Sequence, residues 1–364
     1  LKSQLGNEWS VASRTTADDR WTVIATPASA PAVMYLYDRA AKKLTKLYST
    51  RPELDVEPLV GMQALELKSR DGLTQVSYLT LPKDSDADNN GKPDKPVPMV
   101  LLVHGGPWSR DVYGFNRTHQ WLANRGYAVL SPNYRSSTGF GKAFIAAGNL
   151  QWGTTMHDDL IDVVEWAITN GITTRDKVAI MGGSYGGYAT LAGLTFTPDT
   201  FACGVDIVGP SNLMTLLSSI PAYWESERVQ LYARVGDPTT EDGKKLLAER
   251  SPLFKADAIK KPLLIGQGAN DPRVKQAESD QIVAAMKAKN IPVTYVLFPD
   301  EGHGFARPQN NTAFNAVTEE FLSACLGGRA EPIGDALKPS SITVPHGAEF
   351  TPGLKAALDG LAAN

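Results

Sequence analysis

A serine enclosed by glycines follows a short apolar run in the middle of the chain. The run ends at Met181, and Ser184 stands in the pattern Gly182-x-Ser184-x-Gly186. This spacing is typical of a sharp turn between a strand and a helix, where glycines prevent collisions and the serine hydroxyl is left exposed. The pattern predicts a strand over 177–181, a helix over 188–194 and a nucleophilic hydroxyl between them. Ordinary glycine-rich turns share the pattern, so the rest of the chain must decide.

A serine hydroxyl becomes a good nucleophile when a histidine removes its proton and a carboxylate orients that histidine. In α/β-hydrolases these groups follow in the order serine, acid, histidine. Asp271 comes after the apolar strand 262–266, and His303 comes after the strand 293–298. They are therefore the predicted acid and base. A solvated turn residue is the alternative for Asp271, with Asp300 and Glu301 as rival acids, and a capping or surface role is the alternative for His303.

The tetrahedral intermediate of acyl transfer needs N–H donors, usually one after the nucleophile and one from an early strand-to-helix loop. The sequence His104-Gly105-Gly106-Pro107 directly follows the strand 99–103. The backbone N–H groups of Gly106 and Tyr185 are therefore the predicted oxyanion donors. His104 precedes the serine and lies in this loop, which favours a structural role over a role as catalytic base.

The order of strand and helix patterns predicts an α/β fold. Short β-like runs separated by turn residues fill residues 21–81, and strands and helices alternate from about residue 96 to 326. This alternation is typical of a mostly parallel, doubly wound sheet with helices on both faces. We expect a β-rich segment over 1–60, a catalytic domain over 61–330 and a C-terminal surface tail over 331–364.

A long, largely helical insertion is expected between two of the later strands. It covers residues 211–260 and contains the adjacent aromatic residues Tyr223 and Trp224. Its place in the chain predicts a cap or a pocket wall.

Composition limits the partners that the chain can bind. The net charge is −3, from 36 Lys and Arg against 39 Asp and Glu, which gives no basic surface for nucleic acid or for an anionic membrane. No run of about 18 apolar residues predicts a transmembrane span, and no leader pattern marks a signal peptide. We expect a small or peptide-like substrate and no cofactor. The oligomeric state stays open, a homo-oligomer included.

The first residue, Leu1, indicates a processed or truncated chain, which leaves the compartment undecided, with a periplasmic or secreted location slightly favoured. The two cysteines, Cys203 and Cys325, lie in an apolar run and in an amphipathic helix pattern. They are expected to be buried free thiols, with a single disulfide as the alternative.

Five ordered motifs resemble the prolyl oligopeptidase family of serine peptidases, and most closely its acylaminoacyl-peptidase and dipeptidyl-peptidase-like bacterial branch. The resemblance covers about residues 70–326. Its motifs are His104-Gly-Gly-Pro-Trp108, Asn133-Tyr-Arg-Ser-Ser-Thr-Gly-Phe-Gly141, Gly182-Gly-Ser-Tyr-Gly-Gly-Tyr188, Asp271-Pro-Arg-Val274 and Gly302-His-Gly-Phe305.

The resemblance implies an α/β-hydrolase domain with Ser184, Asp271 and His303 as its catalytic triad. It also implies that Arg273 binds a substrate carbonyl, for which a salt bridge beside the triad is the alternative. Tyr223 and Trp224 resemble pocket-lining aromatics of the family, although core packing would serve them equally well. Family members carry a large β-propeller, of which residues 1–60 resemble only the end, so a more open site is implied.

One acidic segment has half of the pattern of a calcium-binding loop. Oxygen-bearing side chains stand at the first, third, fifth and ninth places, which are Asp86, Asp88, Asn90 and Asp94. The twelfth place, where a bidentate glutamate is expected, holds Val97, and no helix pattern flanks the segment. A solvated turn between two strands is therefore the favoured interpretation, and no metal site is predicted.

Three functions remain open at this point. The leading hypothesis is a serine peptidase that acts on oligopeptides or N-acylated peptides through an acyl-enzyme. A carboxylesterase for small esters comes second, because the same triad cleaves both kinds of bond. A catalytically inactive hydrolase fold that binds a partner is third.

Overall fold

The computed structural model describes residues 1–55 and 57–362. Within these residues the strands are β1 (Trp9–Arg14), β2 (Arg20–Ala25), β3 (Val33–Asp38), β4 (Lys43–Ser49), β5 (Gln63–Lys68), β6 (Thr74–Thr80), β7 (Met99–Val103), β8 (Ala128–Pro132), β9 (Val178–Gly183), β10 (Cys203–Ile207), β11 (Leu263–Gly268), β12 (Val293–Phe298) and β13 (Thr343–His346). The α-helices are α1 (Lys2–Leu5), α2 (Arg117–Asn124), α3 (Lys142–Ala146), α4 (Thr155–Thr169), α5 (Tyr185–Phe196), α6 (Leu213–Ser218), α7 (Arg228–Val235), α8 (Glu241–Glu249), α9 (Gln276–Ala288), α10 (Pro308–Leu326) and α11 (Leu354–Ala362).

The larger sheet is mostly parallel. Its nine strands lie in the order β13-β12-β11-β10-β9-β7-β8-β6-β5. The pairs from β8 to β12 are parallel, and those at the two edges are antiparallel. Because parallel strands end at the same edge of a sheet, the loops that follow β7, β9, β11 and β12 meet there. The predicted oxyanion loop, serine, acid and histidine come from these four loops.

Helices cover both faces of this sheet, which explains why its central strands are apolar on both sides. One core contains Leu160 of α4, Leu191 of α5 and Ile282 of α9. The other core contains Phe314 of α10 and Leu354 of α11. This is the doubly wound α/β arrangement that the sequence predicts.

The N-terminal β-rich segment forms a separate sheet of four antiparallel strands in the order β1-β2-β3-β4. Val23 of β2 is fully buried, whereas β1 and β4 are largely exposed. Its link to the larger sheet includes the Gln120 side chain of α2, which donates to the carbonyl oxygens of Ala28 and Val60 at 3.2 and 2.7 Å. The predicted segment 1–60 contains Val56, which lies outside the described residues.

The insertion between β10 and β11 is helical, as predicted. It contains α6, α7 and α8, with a 3-10 turn at Ala222–Glu227 before α7 and another at Pro252–Ala258 between α8 and β11.

The C-terminal segment differs from the expected surface tail. Its strand β13 pairs antiparallel with β12, so the segment completes the sheet edge. It also buries the apolar side chains of Ile333, Leu337 and Leu354. The hydrophobic effect explains the difference, because these side chains lose water against α10 and β12 rather than over a solvated surface. Residues 363 and 364 of the predicted tail lie outside the described residues.

The expectation of two free thiols is wrong. Cys203 at the start of β10 and Cys325 near the end of α10 form a disulfide, with their Cα atoms 6.4 Å apart. Cys203 is fully buried under α10, and packing of α10 on the sheet brings the two residues within bonding reach. The disulfide joins residues that are 122 positions apart in the sequence.

None of the helices in residues 1–55 and 57–362 combines the length and the apolar composition that a membrane crossing requires.

Candidate active site

Ser184 stands at the junction of β9 and α5, as the strand-turn-helix prediction requires. Its backbone is left-handed, with φ 59° and ψ −116°, a conformation uncommon for a residue with a side chain. Two hydrogen bonds hold it there: the Ser184 N–H donates to Ile207 O at 2.8 Å, and the Tyr188 N–H donates to Ser184 O at 3.0 Å. The side chain lines an adjacent cavity.

The glycines of the motif allow the turn to pack tightly against β7. A methyl group at Gly182 would lie 2.5 Å from the carbonyl oxygen of Val103 and 2.6 Å from the carbonyl carbon of Gly186. A methyl group at Gly186 would also collide with the Val103 carbonyl. Helix α5 can therefore start directly after Ser184, and its first amides point to the cavity end of the sheet.

Asp271 and His303 lie together on the loops that follow β11 and β12. The Nδ1 atom of His303 is 2.7 Å from Oδ2 of Asp271, and the Asp271 side chain is fully buried. Its other oxygen, Oδ1, accepts hydrogen bonds from the N–H groups of Arg273 and Val274 at 2.8 and 2.9 Å. Three donors therefore fix the carboxylate, and the carboxylate orients the imidazole with Nε2 free to act as a base.

The rival acids are used elsewhere. Glu301 is buried and accepts hydrogen bonds from the backbone N–H groups of Ala306 and Arg307 at 3.1 and 2.9 Å. Asp300 pairs with Nε of Arg307 at 3.0 Å. These contacts anchor the start of α10, so Asp271 is the acid that contacts His303.

The Ser184 hydroxyl has no hydrogen-bond partner within the described residues. Hydrogen bonds of this kind are often long in proteins without substrate and form when the substrate binds. A reaction at Ser184 therefore requires its hydroxyl to come within hydrogen-bond distance of His303 Nε2 when the substrate is bound.

The predicted oxyanion residues border Ser184. Gly106 and Tyr185 line the same cavity as the serine. The loop approaches closely: a methyl group at Gly105 would lie 3.3 Å from Cβ of Ser184. Gly106 has a φ of 119°, which glycine adopts without strain. Both backbone N–H groups are therefore in the neighbourhood where a tetrahedral oxyanion would develop.

His104 is built into the loop rather than directed to the serine. Its ring stacks on Tyr134 at a centroid distance of 4.5 Å, and Nε2 lies 2.9 Å from Oγ of Ser137. Burial lowers the pKa of His104 to about 4, so the ring is neutral at physiological pH. These contacts agree with the predicted structural role.

A cavity of about 230 Å³ opens beside Ser184. We call it the acyl pocket. One wall comes from the helical insertion, through residues such as Leu216, Trp224, Leu231 and Arg234, and the other sides include Trp108, Trp152 and Val274. The lining is predominantly apolar and aromatic, which suits an apolar side chain. Sequence reasoning did not assign Trp108, Trp152 or Arg234 to a pocket; for Trp108, the signal was its place at the end of the first family motif.

The two predicted aromatic residues have different places. Trp224 lines the acyl pocket, whereas the side chain of Tyr223 does not, and Tyr223 is 58% exposed. A substrate-binding role for Tyr223 therefore stays a prediction, while Trp224 borders the pocket. Neighbouring residues in a 3-10 turn point about 120° apart, which agrees with the different exposure of the two side chains.

Arg273 reaches the pocket without a carboxylate partner. Its guanidinium lies 5.3 Å from the ring centre of Trp224, and within the described residues it forms no ion pair. The alternative of a salt bridge beside the triad is therefore absent from this arrangement. The forked donors of Arg273 are available to an acceptor in the pocket.

The acidic loop at 86–94 is held by hydrogen bonds of its own. The Gly91 N–H donates to Asp86 Oδ2 at 2.9 Å, and the Asn90 amide nitrogen donates to Asp88 Oδ2 at 2.8 Å. Asp94 accepts a hydrogen bond from the Ala87 N–H at 3.3 Å. Across residues 1–55 and 57–362, no three His, Cys, Asp or Glu side chains converge as metal ligands would. The contacts fit the solvated turn.

Comparison with known proteins agrees with this geometry. A model of the prolyl oligopeptidase family matches residues 113–329, a range that includes Ser184, Asp271 and His303. The chain belongs to the prolyl oligopeptidase family. The family predicted from the five motifs is thus confirmed.

Two relatives and one solved structure give the extent of the similarity. Dipeptidyl aminopeptidase BIII of Pseudoxanthomonas mexicana is 69% identical over 351 residues, which are 96% of this chain and 51% of that protein. Dipeptidyl peptidase family member 6 of Caenorhabditis elegans is 51% identical over 327 residues, 86% of this chain and 44% of that protein. A puromycin-hydrolyzing peptidase of Mycobacterium tuberculosis has a TM-score of 0.74 at 28% identity, over 86% of this chain and 47% of that one.

The α/β-hydrolase fold is confirmed by these comparisons. The chain spans about half the length of the curated relatives that it matches.

Proposed function

We propose that this chain is the catalytic part of a serine peptidase that cleaves oligopeptides or N-acylated peptides through an acyl-enzyme on Ser184. The observation that carries the proposal is the Asp271–His303 pair, held at 2.7 Å on the same sheet edge as the Ser184 turn. The family membership and the relatives named as dipeptidyl peptidases support peptide substrates, with release of N-terminal dipeptides as one form.

The reaction follows from the positions of these groups. The Ser184 Oγ attacks the substrate carbonyl carbon while its proton passes to Nε2 of His303, and Asp271 stabilises the resulting imidazolium. The carbonyl oxygen becomes an oxyanion that accepts hydrogen bonds from the N–H groups of Gly106 and Tyr185. The C–N bond then breaks, and His303 returns the proton to the leaving amine. A water molecule, with His303 again accepting the proton, then attacks the acyl-enzyme ester on Ser184. The acid is released and the proton returns to the Ser184 oxygen.

The acyl pocket would hold the side chain that precedes the scissile bond, because it adjoins Ser184 and both oxyanion residues. Its apolar lining favours an apolar side chain at that position. Arg273, stacked on Trp224 and free of acidic partners among the described residues, would bind a carbonyl oxygen of the same substrate.

We further propose that the protein acts outside the cytoplasm. The support is the Cys203–Cys325 disulfide, since disulfides persist in oxidising compartments and are rare in the cytosol. The sequence slightly favours the same compartments.

The first test is covalent labelling of the 364-residue chain with a fluorophosphonate, followed by turnover of peptide anilides and short nitrophenyl esters. Labelling and anilide hydrolysis should both occur, and Ser184→Ala should lose labelling and about 10⁴-fold or more of kcat/KM. Ser10→Ala, at an exposed position of β1, is the matched control and should behave as the wild type.

Each hypothesis gives a different result. Turnover of esters without anilides would overturn the peptidase proposal and favour a carboxylesterase. A folded wild-type protein that takes no label would indicate the binding module, because no activated serine would then be present.

A further inference from the structure

Glu278 is a buried carboxylate that lies outside the triad. It occupies the first turn of α9, and only 2% of its surface is exposed. A buried carboxylate requires several hydrogen-bond donors, since loss of hydration is otherwise uncompensated. The identity of those donors therefore indicates which part of the structure Glu278 holds.

The donors come mainly from the segment that follows β10. The Oε2 atom of Glu278 accepts the N–H groups of Ser211 and Asn212 at 3.0 and 2.8 Å. The Thr215 hydroxyl donates to Oε1, and Nε2 of Gln281 donates to Oε2 at 2.9 Å. The Ser211 hydroxyl also donates to the backbone oxygen of Glu278 at 2.6 Å.

The held segment forms one wall of the acyl pocket. Pro210 precedes the two bonded amides, and Leu216 and Leu217 follow Thr215 in α6; all three line the pocket. Glu278 itself does not line the pocket, so it acts on this wall through the backbone of Ser211 and Asn212. A shift of these amides would move the apolar side chains that define the pocket width.

The next residue of α9 is linked to another side of the pocket through Gln267. The Ser279 hydroxyl donates to Oε1 of Gln267 at 2.8 Å, and Nε2 of Gln267 donates to Val274 O at 3.1 Å. Val274 lines the pocket, and its N–H is one of the two that hold Asp271. The first turn of α9 is thus linked directly to the segment 210–217 through Glu278, and through Gln267 to the turn that carries the predicted acid.

We propose that Glu278 is a positioning residue for substrate specificity, because it fixes the wall 210–217 relative to the turn 271–274 and so sets the width of the acyl pocket. This inference rests on the proposed peptidase function. Glu278 touches neither substrate nor the reacting atoms. The change in kcat/KM that follows replacement of Glu278 should therefore depend on the size of the substrate side chain, while the reactivity of Ser184 should change little.

The test compares Glu278→Gln with the wild type on two dipeptide anilides that carry glycine or leucine next to the scissile bond. An amide supplies one acceptor oxygen where the carboxylate supplies two, so some of the converging donors lose their partner. For the leucine substrate, kcat/KM should fall about tenfold, mainly through KM, while the glycine substrate should stay within about threefold. The rate of fluorophosphonate labelling should also stay within about threefold of the wild type.

Glu249→Gln, at the exposed end of α8, is the matched control and should change neither the leucine-to-glycine ratio of kcat/KM nor the labelling rate. Should Glu278→Gln fail to fold, Thr215→Val keeps the carboxylate, removes one donor and should lower the leucine-to-glycine ratio in the same direction. An unchanged ratio, or an equal loss on both substrates, would overturn the positioning role. Absence of anilide turnover by the wild type would instead overturn the proposed function, so the two failures are distinguishable.

Discussion

At the scale of single residues, two buried carboxyl groups near the site differ in the number of hydrogen-bond donors around them. Asp271 is surrounded by three donors, which stabilise the anion that the proposed mechanism needs. Asp206, near the end of β10, receives only the Gly209 N–H at 2.8 Å, and its Oδ2 atom has no partner within the described residues. Burial raises the pKa of Asp206 to about 7. Below about pH 7 this carboxyl group, which lies beside the turn that carries Ser184, is therefore mostly neutral in the folded protein.

The pH dependence of stability should reveal this neutral group. The unfolded chain releases the Asp206 proton near pH 3.8, whereas the folded chain keeps it up to about pH 7. Across that window the folded state binds more protons, so its stability falls as the pH rises, by about 4 kcal/mol in total. Asp206→Asn removes the effect. Its free energy of unfolding relative to the wild type should therefore increase between pH 4 and pH 8, as measured by urea unfolding.

Other titrating groups cancel in that comparison, because both proteins contain them. Asp242→Asn, at an exposed position in the first turn of α8, controls for the loss of one negative charge. A difference between Asp206→Asn and the wild type that stays constant from pH 4 to pH 8 would contradict a neutral Asp206.

At the scale of elements, the turn between β9 and α5 depends on close backbone contacts at some glycines and not at others. Gly182 has no room for a methyl group between the Val103 and Gly186 backbones. Gly183 is its immediate neighbour, yet a methyl group there would have its nearest contact at 3.8 Å, with Ile207 O. The two positions therefore separate the packing requirement from the glycine content of the motif.

Alanine substitution at these two positions should give different outcomes. Gly182→Ala forces backbone atoms of β7 or α5 to move, which should lower the free energy of unfolding by about 1–3 kcal/mol or more and slow fluorophosphonate labelling. Gly183→Ala should keep both the stability and the labelling rate near those of the wild type. Chemical unfolding and labelling kinetics check both variants. Equal destabilisation by the two alanines would show that the contacts with Val103 and Gly186 do not define the turn.

Sequence patterns predicted elements well where the signal is local and less well where it is not. The strand 293–298 was predicted with its observed bounds, because a run of apolar and β-branched residues suffices for a buried strand. Helix α5 begins at Tyr185, three residues before the predicted start, because Gly186 and Gly187 weaken the helical pattern while tertiary packing favours the helix. The sequence pattern did not separate Tyr223 from Trp224, because the direction of two adjacent side chains in a 3-10 turn depends on the rotation of that turn against the pocket.

At the scale of the whole molecule, the features that sequence reasoning missed depend on contacts between distant segments. Strand β13 was missed because its edge pairing with β12 needs a partner about 50 residues away, and no periodicity in the tail encodes that partner. The predicted acid and histidine were found despite their separation, because their order after successive strands follows from the parallel sheet. No comparable rule of chain order predicts the contact between Cys203 and Cys325. The disulfide therefore follows only from the packing of α10 on β10 in the structure.

The disulfide should contribute much of the free energy of unfolding of this chain. It closes a loop between residues 122 positions apart, and Asp271 and His303 both lie within that loop. The cross-link lowers the chain entropy of the unfolded state, which for a loop of this length raises the free energy of unfolding by at most about 5 kcal/mol. The double variant Cys203→Ala/Cys325→Ala should therefore unfold at lower urea concentration than the oxidised wild type, and the reduced wild type should behave similarly. Both should still be labelled at Ser184 at low urea, because neither cysteine touches the acyl pocket.

Thiol titration of the urea-unfolded wild type should detect no free thiol before reduction and two after it. Two titratable thiols without reduction would refute the disulfide, and with it the support that it gives to a location outside the cytoplasm.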